Sequence, residues 1–280
     1  MIRYIEIKAP AKINIGLNIT EKRADGFHNL VTLFYPVKDL HDLIKIERSD
    51  KYELTCSNDD LKIDDSNLIT KAKSLLENVF GITINVKIHL EKNIPMGAGM
   101  GGGSSDAAAV LLALNDMFNL NAGKEKLAEL ALVLGSDVPY FLKPVPSVGK
   151  SRGEILSPVK LDINKCILII NPGIHINTGE AFRNIKPSAP EVEYESIFNG
   201  DLIDFKNLGK KITNDFETYV FGKYPQIADI KSSLYKTGAE FALMTGTGST
   251  VFGIFDSKEL AEKALSGFPP HYFGFLSKSN

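Results

Sequence analysis

Alternating hydrophobic and polar residues mark the first segment of this chain. The alternation runs through residues 2–8 and resumes after Pro10 over residues 13–19. Successive side chains of a strand point to opposite faces, so Lys12 and Asn14 share the face that the isoleucines leave. The pattern predicts β-strands here, with one apolar face and one face that carries polar side chains.

The same pattern predicts further elements along the whole chain. Strands are predicted at residues 31–37, 43–48, 51–55, 82–90, 166–170, 239–244 and 250–255. Helices are predicted through Leu75 and Leu76 and at residues 107–118, 124–134, 177–185, 207–221, 225–236 and 257–266. We expect Ser66 to cap the first helix and Ser104 or Ser105 the second, whereas Gly135 should end the third in left-handed backbone. The alternation at 82–90 favours a mostly antiparallel sheet.

Composition describes an ordinary globular protein of about two domains. The 280 residues are 44% hydrophobic and 24% charged, with a formal net charge of −2. This balance excludes the strongly basic surface of a general nucleic-acid binder, so we expect no nucleic-acid partner. The texture of the sequence changes after Pro146, which predicts a first domain at 1–158 and a second at 159–280.

The cysteines and the apolar runs indicate a compartment. Cys56 and Cys166 lie far apart in the sequence, a spacing that gives no disulfide framework and no zinc ribbon. No apolar run approaches the roughly 20 residues of a membrane span, and the first residues show no secretory pattern. We therefore expect a cytoplasmic protein without a membrane partner.

A glycine-rich loop at residues 95–105, PMGAGMGGGSS, carries the clearest chemical signal. Glycine has no Cβ to block close approach, so the backbone N–H groups of such a loop can converge on an oxyanion. The free N–H groups and the positive dipole end of the helix that follows also favour phosphate. Loop and helix together predict a phosphate-binding site.

Three alternatives fit this segment less well. The loop contains the dinucleotide pattern G-x-G-x-x-G, but an apolar helix follows it where that fold needs a strand ending in an acidic residue. A Walker loop around residues 149–151 would need a glycine at the position of Pro144. A flexible linker rarely joins an alternating strand directly to a capped helix.

Several sequence blocks together resemble the GHMP kinase family. The central block is the glycine-rich loop and its continuation to Ala108. The others are APAKINIGL at 9–17, RADGFHNL at 23–30, GSDVPYF at 135–141 and LMTGTGSTVF at 243–252. The blocks follow one another in the family's order and cover nearly the whole chain.

The resemblance implies the fold class α/β (α+β), in a two-domain GHMP kinase architecture of helices with mixed, largely antiparallel sheets. The first domain would bind ATP, and the second would contribute to the substrate site. The doubled glycines and Gly26-Phe27-His28 look like one branch of the family. That branch transfers the ATP γ-phosphoryl group to the 2-hydroxyl of the methylerythritol unit of a cytidine diphosphate substrate, on the non-mevalonate route to isoprenoid precursors. Mg²⁺ is the implied cation.

Roles for individual residues follow from the matching positions. Asp137 would take the proton of the attacking hydroxyl, and Lys12 would offset charge on that oxygen. The alternatives are a helix cap for Asp137 and an exposed strand lysine for Lys12. The implied ATP-binding residues are Pro95, Met96, Gly97, Ala98, Gly99, Met100, Gly101, Gly102, Gly103, Ser104 and Ser105, of which Ser105 would also reach Mg²⁺.

The implied substrate-binding residues are Asn14, Phe27, His28, Asp137, Thr178, Phe182, Gly246 and Thr247. The rings of Phe27 and Phe182 would stack on cytosine and His28 would hydrogen-bond its edge, whereas core packing is the alternative for both rings. Asn67 and Leu68 are candidates for contacting adenine. A GHMP kinase of the mevalonate or homoserine type, and a nucleotide-binding module without catalysis, are the other functions that this sequence leaves open.

Overall fold

The computed structural model describes residues 2–198, 203–209 and 211–277, and its contacts divide the chain into two compact units. The first unit consists of Met1–Ala11, Leu40–Met96 and Gly101–Pro144. The second consists of Lys12–Asp39, Gly97–Met100 and Val145–Asn280. The two units thus alternate along the chain. The expected domain boundary after residue 158 stays a prediction.

Strands and helices follow each other along the described residues. The strands are β1 (Tyr4–Lys22), β2 (His28–Arg48), β3 (Glu53–Cys56), β4 (Val86–Glu91), β5 (Ser147–Ser151), β6 (Ile155–Pro158), β7 (Cys166–Asn171), β8 (Phe241–Met244), β9 (Val251–Phe255) and β10 (Phe273–Ser277). The helices are α1 (Leu68–Phe80), α2 (Gly102–Met117), α3 (Lys124–Leu134), α4 (Val138–Phe141), α5 (Thr178–Arg183), α6 (Tyr194–Ile197), α7 (Phe205–Leu208), α8 (Phe216–Lys223), α9 (Pro225–Lys236) and α10 (Lys258–Ser266).

The first unit combines paired strands with a group of four helices. The second half of β2 pairs antiparallel with β4, and β3 pairs with β4 in parallel. Helices α1, α3 and α4 all contact α2. Val110, Leu111 and Leu114 of α2 are fully buried because this helix is apolar on nearly every side, as a central helix must be.

The second unit contains two groups of strands. The first half of β2 pairs antiparallel with β5, which pairs antiparallel with β6. A separate antiparallel sheet has the strand order β10-β7-β9-β8. Helix α9 packs on β8 and β9, and α10 packs on β7. One apolar core, which includes Leu168, Phe216 and Ile230, joins this sheet to its helices.

The strand pairings confirm the expected fold class. Among the described pairs, β3 with β4 is parallel and the pairs of the four-stranded sheet are antiparallel, so the sheets are mixed and largely antiparallel. β1 and β2 each continue through segments expected to be separate strands, such as 31–37 and 43–48. Pro10 does not interrupt β1.

The expected strand at 82–90 is too long at its start. Helix α1 ends at Gly81 in left-handed backbone with φ +63°. The N–H of Ile82 then donates to the carbonyl of Glu77, and the N–H of Ile84 donates to Oε1 of Glu77, 2.8 Å away. Because these donors close the helix end, the strand begins only at Val86.

The expected helix at 207–221 is wrong in its middle. Helix α7 ends at Leu208 and α8 begins at Phe216. Between them, Leu17 donates its N–H to the Thr213 carbonyl, and Asp215 donates its N–H to the Leu17 carbonyl. This bridge to β1 uses backbone groups that a continuous helix would need.

Three expected helix ends also differ. Asn67, and not Ser66, caps α1 by accepting from the N–H of Ile69 at 2.9 Å. Helix α2 starts at Gly102 after Gly101, so neither Ser104 nor Ser105 is its cap. Gly135 has φ 167°, which is extended backbone and not left-handed.

The cysteines and helix lengths complete the description. Cys56 and Cys166 are free thiols and both are half-buried. None of the helices within the described ranges is long and apolar enough to cross a bilayer.

Candidate active site

The first half of the glycine-rich loop, Gly97–Met100, lies against the start of the polar face of β1. The backbone N–H of Lys12 donates to the carbonyl of Met100 at 3.1 Å. The Nζ of Lys12 donates to the carbonyl of Gly99 at 3.0 Å and to Oδ1 of Asn14 at 2.6 Å. Lys12 is 3% exposed, so its ammonium group is fixed by these contacts and is not an exposed strand lysine.

Asn14 joins Lys12 to a second glycine loop, residues 245–248. Its Oδ1 also accepts from the N–H of Gly246 at 3.0 Å and from Oγ1 of Thr245 at 3.2 Å. Its Nδ2 donates to Oγ1 of Thr32 at 2.9 Å. The side chain is 1% exposed, so its amide binds protein groups on both sides.

The two glycine loops touch through their backbones. A Cβ on Gly99 would lie 2.3 Å from the carbonyl oxygen of Thr245, and a Cβ on Gly246 would lie 2.8 Å from the carbonyl oxygen of Gly99. Both glycines have positive φ, +75° and +56°. Glycine is required at both positions because any side chain would collide with backbone.

The second half of the loop, Gly101–Ser105, forms the start of α2. Gly101 precedes the helix with φ +71°, and the first N–H groups of the helix have no helical partner of their own. The side chain of Ser105 is buried, and its Oγ has no hydrogen-bond partner within the described part of the chain. This segment therefore offers N–H donors and one buried hydroxyl.

A buried ion cluster lies beneath this helix start. The Nζ of Lys92 contacts Oδ2 of Asp42 and lies 3.3 Å from Oδ2 of Asp106. The N–H groups of Asn93 and Ile94 donate to Oδ1 of Asp42 at 2.6 and 2.8 Å. Burial raises the pKa of Asp106 to about 8, the nearby Lys92 opposes this shift and Asp42 adds to it.

The buried ion cluster explains why residue 102 is a glycine. A Cβ on Gly102 would lie 2.9 Å from the Nζ of Lys92 and 3.2 Å from Cγ2 of Ile94. A Cβ on Gly103 would meet only Cδ1 of Leu68, at 3.7 Å. Leu68 therefore lies beside the loop, and Asn67, which caps α1, directly precedes it.

Asp137 lies in the first unit, immediately before the short helix α4. It occupies the N-cap position, but its side chain accepts no capping hydrogen bond from that helix. Val138 and Tyr140 are fully buried, so packing of α4 fixes the backbone at Asp137. The capping alternative for this carboxylate is not supported by the geometry.

The aromatic residues expected at the base lie in the second unit. The ring of His28 stacks on Phe182, with centroids 5.0 Å apart and planes 28° apart. Phe182 also contacts the edge of Phe216. Phe27 is 46% exposed, which excludes core packing for this ring. Burial and then the charge of Lys22 lower the pKa of His28, which favours the neutral imidazole.

The threonines expected in the substrate site also meet in the second unit. Oγ1 of Thr178, the first residue of α5, lies 3.3 Å from Oγ1 of Thr247. Both hydroxyls belong to exposed or half-exposed residues. The expected residues of β1, of the second glycine loop and of α5 thus form local groups in one unit.

Several residues of the site are not among those expected from the sequence. Thr245 and Thr32 are buried and bind the expected Asn14, and the buried side chain of Lys92 lies 3.3 Å from Asp106, which follows the expected Ser105. His175 packs on Gly97, where a Cβ would lie 2.9 Å from its Nδ1. Only the positions of Thr245 and Lys92 beside the two glycine loops gave a signal that could have identified them. Within the described residues, no group of three or more His, Cys, Asp or Glu side chains could hold a metal.

Two family models and several known kinases match this chain. The family models "GHMP kinases N terminal domain" and "GHMP kinases C terminal" match residues 67–143 and 197–273. A 4-diphosphocytidyl-2-C-methyl-D-erythritol kinase from Bacteroides fragilis is 43% identical over 90% of this chain and 93% of its own. A kinase of the same name from Prosthecochloris aestuarii is 40% identical over 97% of this chain and 96% of its own.

Solved structures extend the similarity to the fold. A crystal structure of 4-(cytidine 5'-diphospho)-2C-methyl-D-erythritol kinase has a TM-score of 0.80 and 32% identity, covering 97% of this chain and 98% of that one. Homoserine kinase from Cytophaga hutchinsonii has a TM-score of 0.76 at 19% identity, covering 100% of this chain and 96% of that one, and shares the fold alone. The chain belongs to the GHMP kinases and, within them, to the family of 4-diphosphocytidyl-2-C-methyl-D-erythritol kinases.

Proposed function

We propose that this protein uses ATP to phosphorylate the 2-hydroxyl of 4-diphosphocytidyl-2-C-methyl-D-erythritol, a step in making isoprenoid precursors. The observation that carries the proposal is the identity of 43% to a kinase of that name over 90% of the chain. Phosphoryl transfer needs positioned reactants and stabilisation of charge. The buried Lys12 and the two glycine loops supply groups for both.

ATP binds through the loop Pro95–Ser105 in this proposal. The N–H groups in the first turn of α2 have no helical acceptor and can bind an anion, and the positive end of the helix dipole favours phosphate there. Leu68 lies beside Gly103, which supports Asn67 and Leu68 as neighbours of the adenosine part. Gly103 has more open surroundings than Gly102, so a phosphate can approach the backbone more closely there.

Ser105 is the residue that would hold Mg²⁺. Its buried Oγ, without a hydrogen-bond partner among the described residues, fits a role as an oxygen ligand. No acidic cage is needed, because Mg²⁺ usually keeps water and substrate phosphates as its other ligands. When bound, Mg²⁺ neutralises charge on the phosphate oxygens.

Lys12 and Asp137 carry the chemistry in this proposal. Asp137 accepts the proton of the attacking hydroxyl as general base. Lys12 offsets the negative charge that develops on the attacking oxygen, and Asn14 and Gly99 hold its ammonium group in place. Because the Asn14 amide is bound to protein groups, its contribution to substrate binding acts through Lys12 and Gly246.

Cytidine binds at the aromatic group of the second unit. The exposed ring of Phe27 stacks on cytosine, the stacked pair of His28 and Phe182 borders the base, and His28 hydrogen-bonds its edge. Thr178, Gly246 and Thr247 contact the rest of the substrate. We expect a cytoplasmic enzyme that binds no nucleic acid, and both statements stay predictions.

A coupled ADP-release assay tests the function directly. The purified chain is given ATP, Mg²⁺ and the cytidine substrate, and in parallel reactions homoserine or mevalonate at the same concentration. We expect turnover with the cytidine substrate alone, and at least about a hundredfold less with Asp137→Asn, since general base catalysis contributes about 10²–10⁴ in rate.

Two results would contradict the proposal. Turnover with homoserine or mevalonate, and none with the cytidine compound, assigns another GHMP activity. ATP binding without turnover of any substrate, in a protein that is folded by circular dichroism, leaves a nucleotide-binding module.

A further inference from the structure

Arg152 lies directly over the ring of Phe27. The centre of its guanidinium group is 3.6 Å from the ring centroid, a stacking distance at which a cation is attracted to the negative face of an aromatic ring. Arg152 lies in the turn between β5 and β6. One face of the ring that we propose for cytosine is therefore already covered by protein.

Two hydrogen-bonded turns fix the positions of Phe27 and Arg152. The turn at residues 23–27 is closed by the N–H of Arg23, which donates to the Phe27 carbonyl at 2.9 Å. Asp25 accepts from the N–H of Phe27 at 3.1 Å and binds Arg23 at 2.8 Å. The backbone at Phe27 is thereby fixed from both sides.

The turn after β5 is fixed in the same way. Glu154 accepts from the N–H of Arg152 at 2.7 Å and from Oγ of Ser151 at 2.9 Å. Nη1 of Arg23 donates to the same Oγ of Ser151 at 3.0 Å. Leu30 of β2 is paired with Ser151 of β5, so the sheet register itself brings the two turns together.

Phe27 stays partly exposed, so its ring has surface left for a ligand. Phe27 is 46% exposed although the guanidinium group lies over one face of its ring. A phenyl ring on a turn rotates easily when nothing covers it. A guanidinium stacked on one face removes that freedom, and a ring that is already ordered pays less entropy when a base stacks on it.

We propose that Arg152 is a positioning residue for substrate: it backs the Phe27 ring so that the free face is aligned for the cytosine base. This inference rests on the proposed function, because it assigns a role to Arg152 within the cytidine site. It differs from direct charge pairing between Arg152 and the substrate diphosphate, since Arg152 acts here through the Phe27 ring.

A double-mutant cycle separates these two roles. KM and kcat for the cytidine substrate are measured for wild type, Arg152→Ala, Phe27→Leu and the double variant. We expect Arg152→Ala to raise substrate KM by about threefold to tenfold, with kcat and the KM for ATP within about twofold of wild type. In the Phe27→Leu background, Arg152→Ala should change KM by less than about twofold, because the ring that it positions is gone.

Arg48 provides the matched control. Its guanidinium group lies over the ring of Phe118, 4.1 Å from the centroid, in the first unit. Arg48→Ala should lower the melting temperature and leave the KM for the cytidine substrate unchanged. If Arg152→Ala does not fold, Arg152→Lys replaces it in the same cycle, since lysine keeps the charge and lacks the planar stack.

The outcomes are distinct. A wild-type KM for Arg152→Ala, or an equal rise of KM in the presence and absence of the Phe27 ring, overturns the inference. A wild type that turns over no cytidine substrate refutes the proposed function itself. A rise of KM that disappears in the Phe27→Leu background supports both.

Discussion

The two halves of the glycine-rich loop use the same residue for different reasons. In the first half, the missing Cβ of Gly99 makes room for backbone, the Thr245 carbonyl at 2.3 Å. In the second half, the missing Cβ of Gly102 makes room for the side chains of Lys92 and Ile94. Gly103 has only Leu68 nearby, at 3.7 Å.

Glycine at these three positions looks the same in the sequence, but each position has a different reason for it. Gly99 is required by the neighbouring loop and Gly102 by a buried ion cluster, so neither requirement involves a ligand. Gly103 has no such protein neighbour, which is why we propose that a phosphate approaches there. The expectation that the glycines of this loop make room for a phosphate therefore applies to Gly103 better than to Gly99 or Gly102.

The largest effect should follow from Gly99→Ala. The new Cβ would lie 2.3 Å from a backbone oxygen at a residue with φ +75°, and backbone on the other side cannot move as a flexible side chain can. We expect a loss of at least about 3 kcal/mol in the free energy of unfolding, measured by urea denaturation. Gly81→Ala is the control, because Gly81 has φ +63° and nothing within 4 Å. Equal losses for both variants would show that backbone conformation, and not the loop contact, sets the requirement.

Lys12→Met tests whether the lysine that binds the first half of the glycine-rich loop takes part in catalysis. Methionine keeps the apolar stem and removes the ammonium group that donates to Gly99 and Asn14. We expect kcat to fall by at least about a hundredfold, while the KM for ATP changes by less than about threefold. Wild-type kcat together with a lower melting temperature would instead assign Lys12 to structure alone.

Asp106→Asn tests whether a buried, protonated carboxyl group beneath the second half of the glycine-rich loop stabilises the fold. Burial holds the pKa of Asp106 near 8, against the ordinary value of 3.8 for aspartate, so the folded chain binds a proton that the unfolded chain releases. Stability from this group is present below about pH 4 and is lost as the pH rises through about 8, by at most about 1.4 kcal/mol per pH unit. The variant has no such proton.

Urea denaturation at pH 5 and pH 8 measures this effect. The wild type should lose more stability than Asp106→Asn between the two values. Parallel losses would mean that Asp106 is ionised in the folded chain throughout this range.

The smallest effect on stability should come from Gly103→Ala. The residue is in the first turn of α2 with an open neighbourhood, and alanine favours a helix over glycine by about 0.5–1 kcal/mol. We expect a slightly higher melting temperature together with a higher Kd for ATP, measured by calorimetry. An unchanged Kd would place the phosphate elsewhere along the loop.

Local sequence was a sufficient guide where a segment folds by its own pattern. Helix α9 covers Pro225–Lys236, the expected range, because Pro225 sets its start and its apolar residues repeat at helical spacing. The glycine-rich loop was recognisable for a similar reason. Its chemistry depends on consecutive residues, and the helix that follows is adjacent in the chain.

Tertiary contacts decided the segments that the sequence did not reveal. Asn214 sits in the middle of the expected helix 207–221, but its Nδ2 donates to the carbonyls of Met244 and Gly246. The stacking of Arg152 on Phe27 joins residues from two different turns. Neither partner can be read from the local pattern, because each is brought into place by strands paired far along the chain.

The contacts of Asn14 determine how late in synthesis its surroundings can be completed. Thr245 and Gly246, which it binds, are 231 and 232 residues further along the chain. During synthesis, Lys12 and Asn14 leave the ribosome early, and the loop that completes their surroundings emerges near the end. Contacts of such long sequence separation slow folding, because a large loop must close before they form. A nascent chain that stops short of residue 246 therefore contains Lys12 and Asn14 without the loop that binds the Asn14 side chain, and a ligand that needs this loop stabilises only finished molecules.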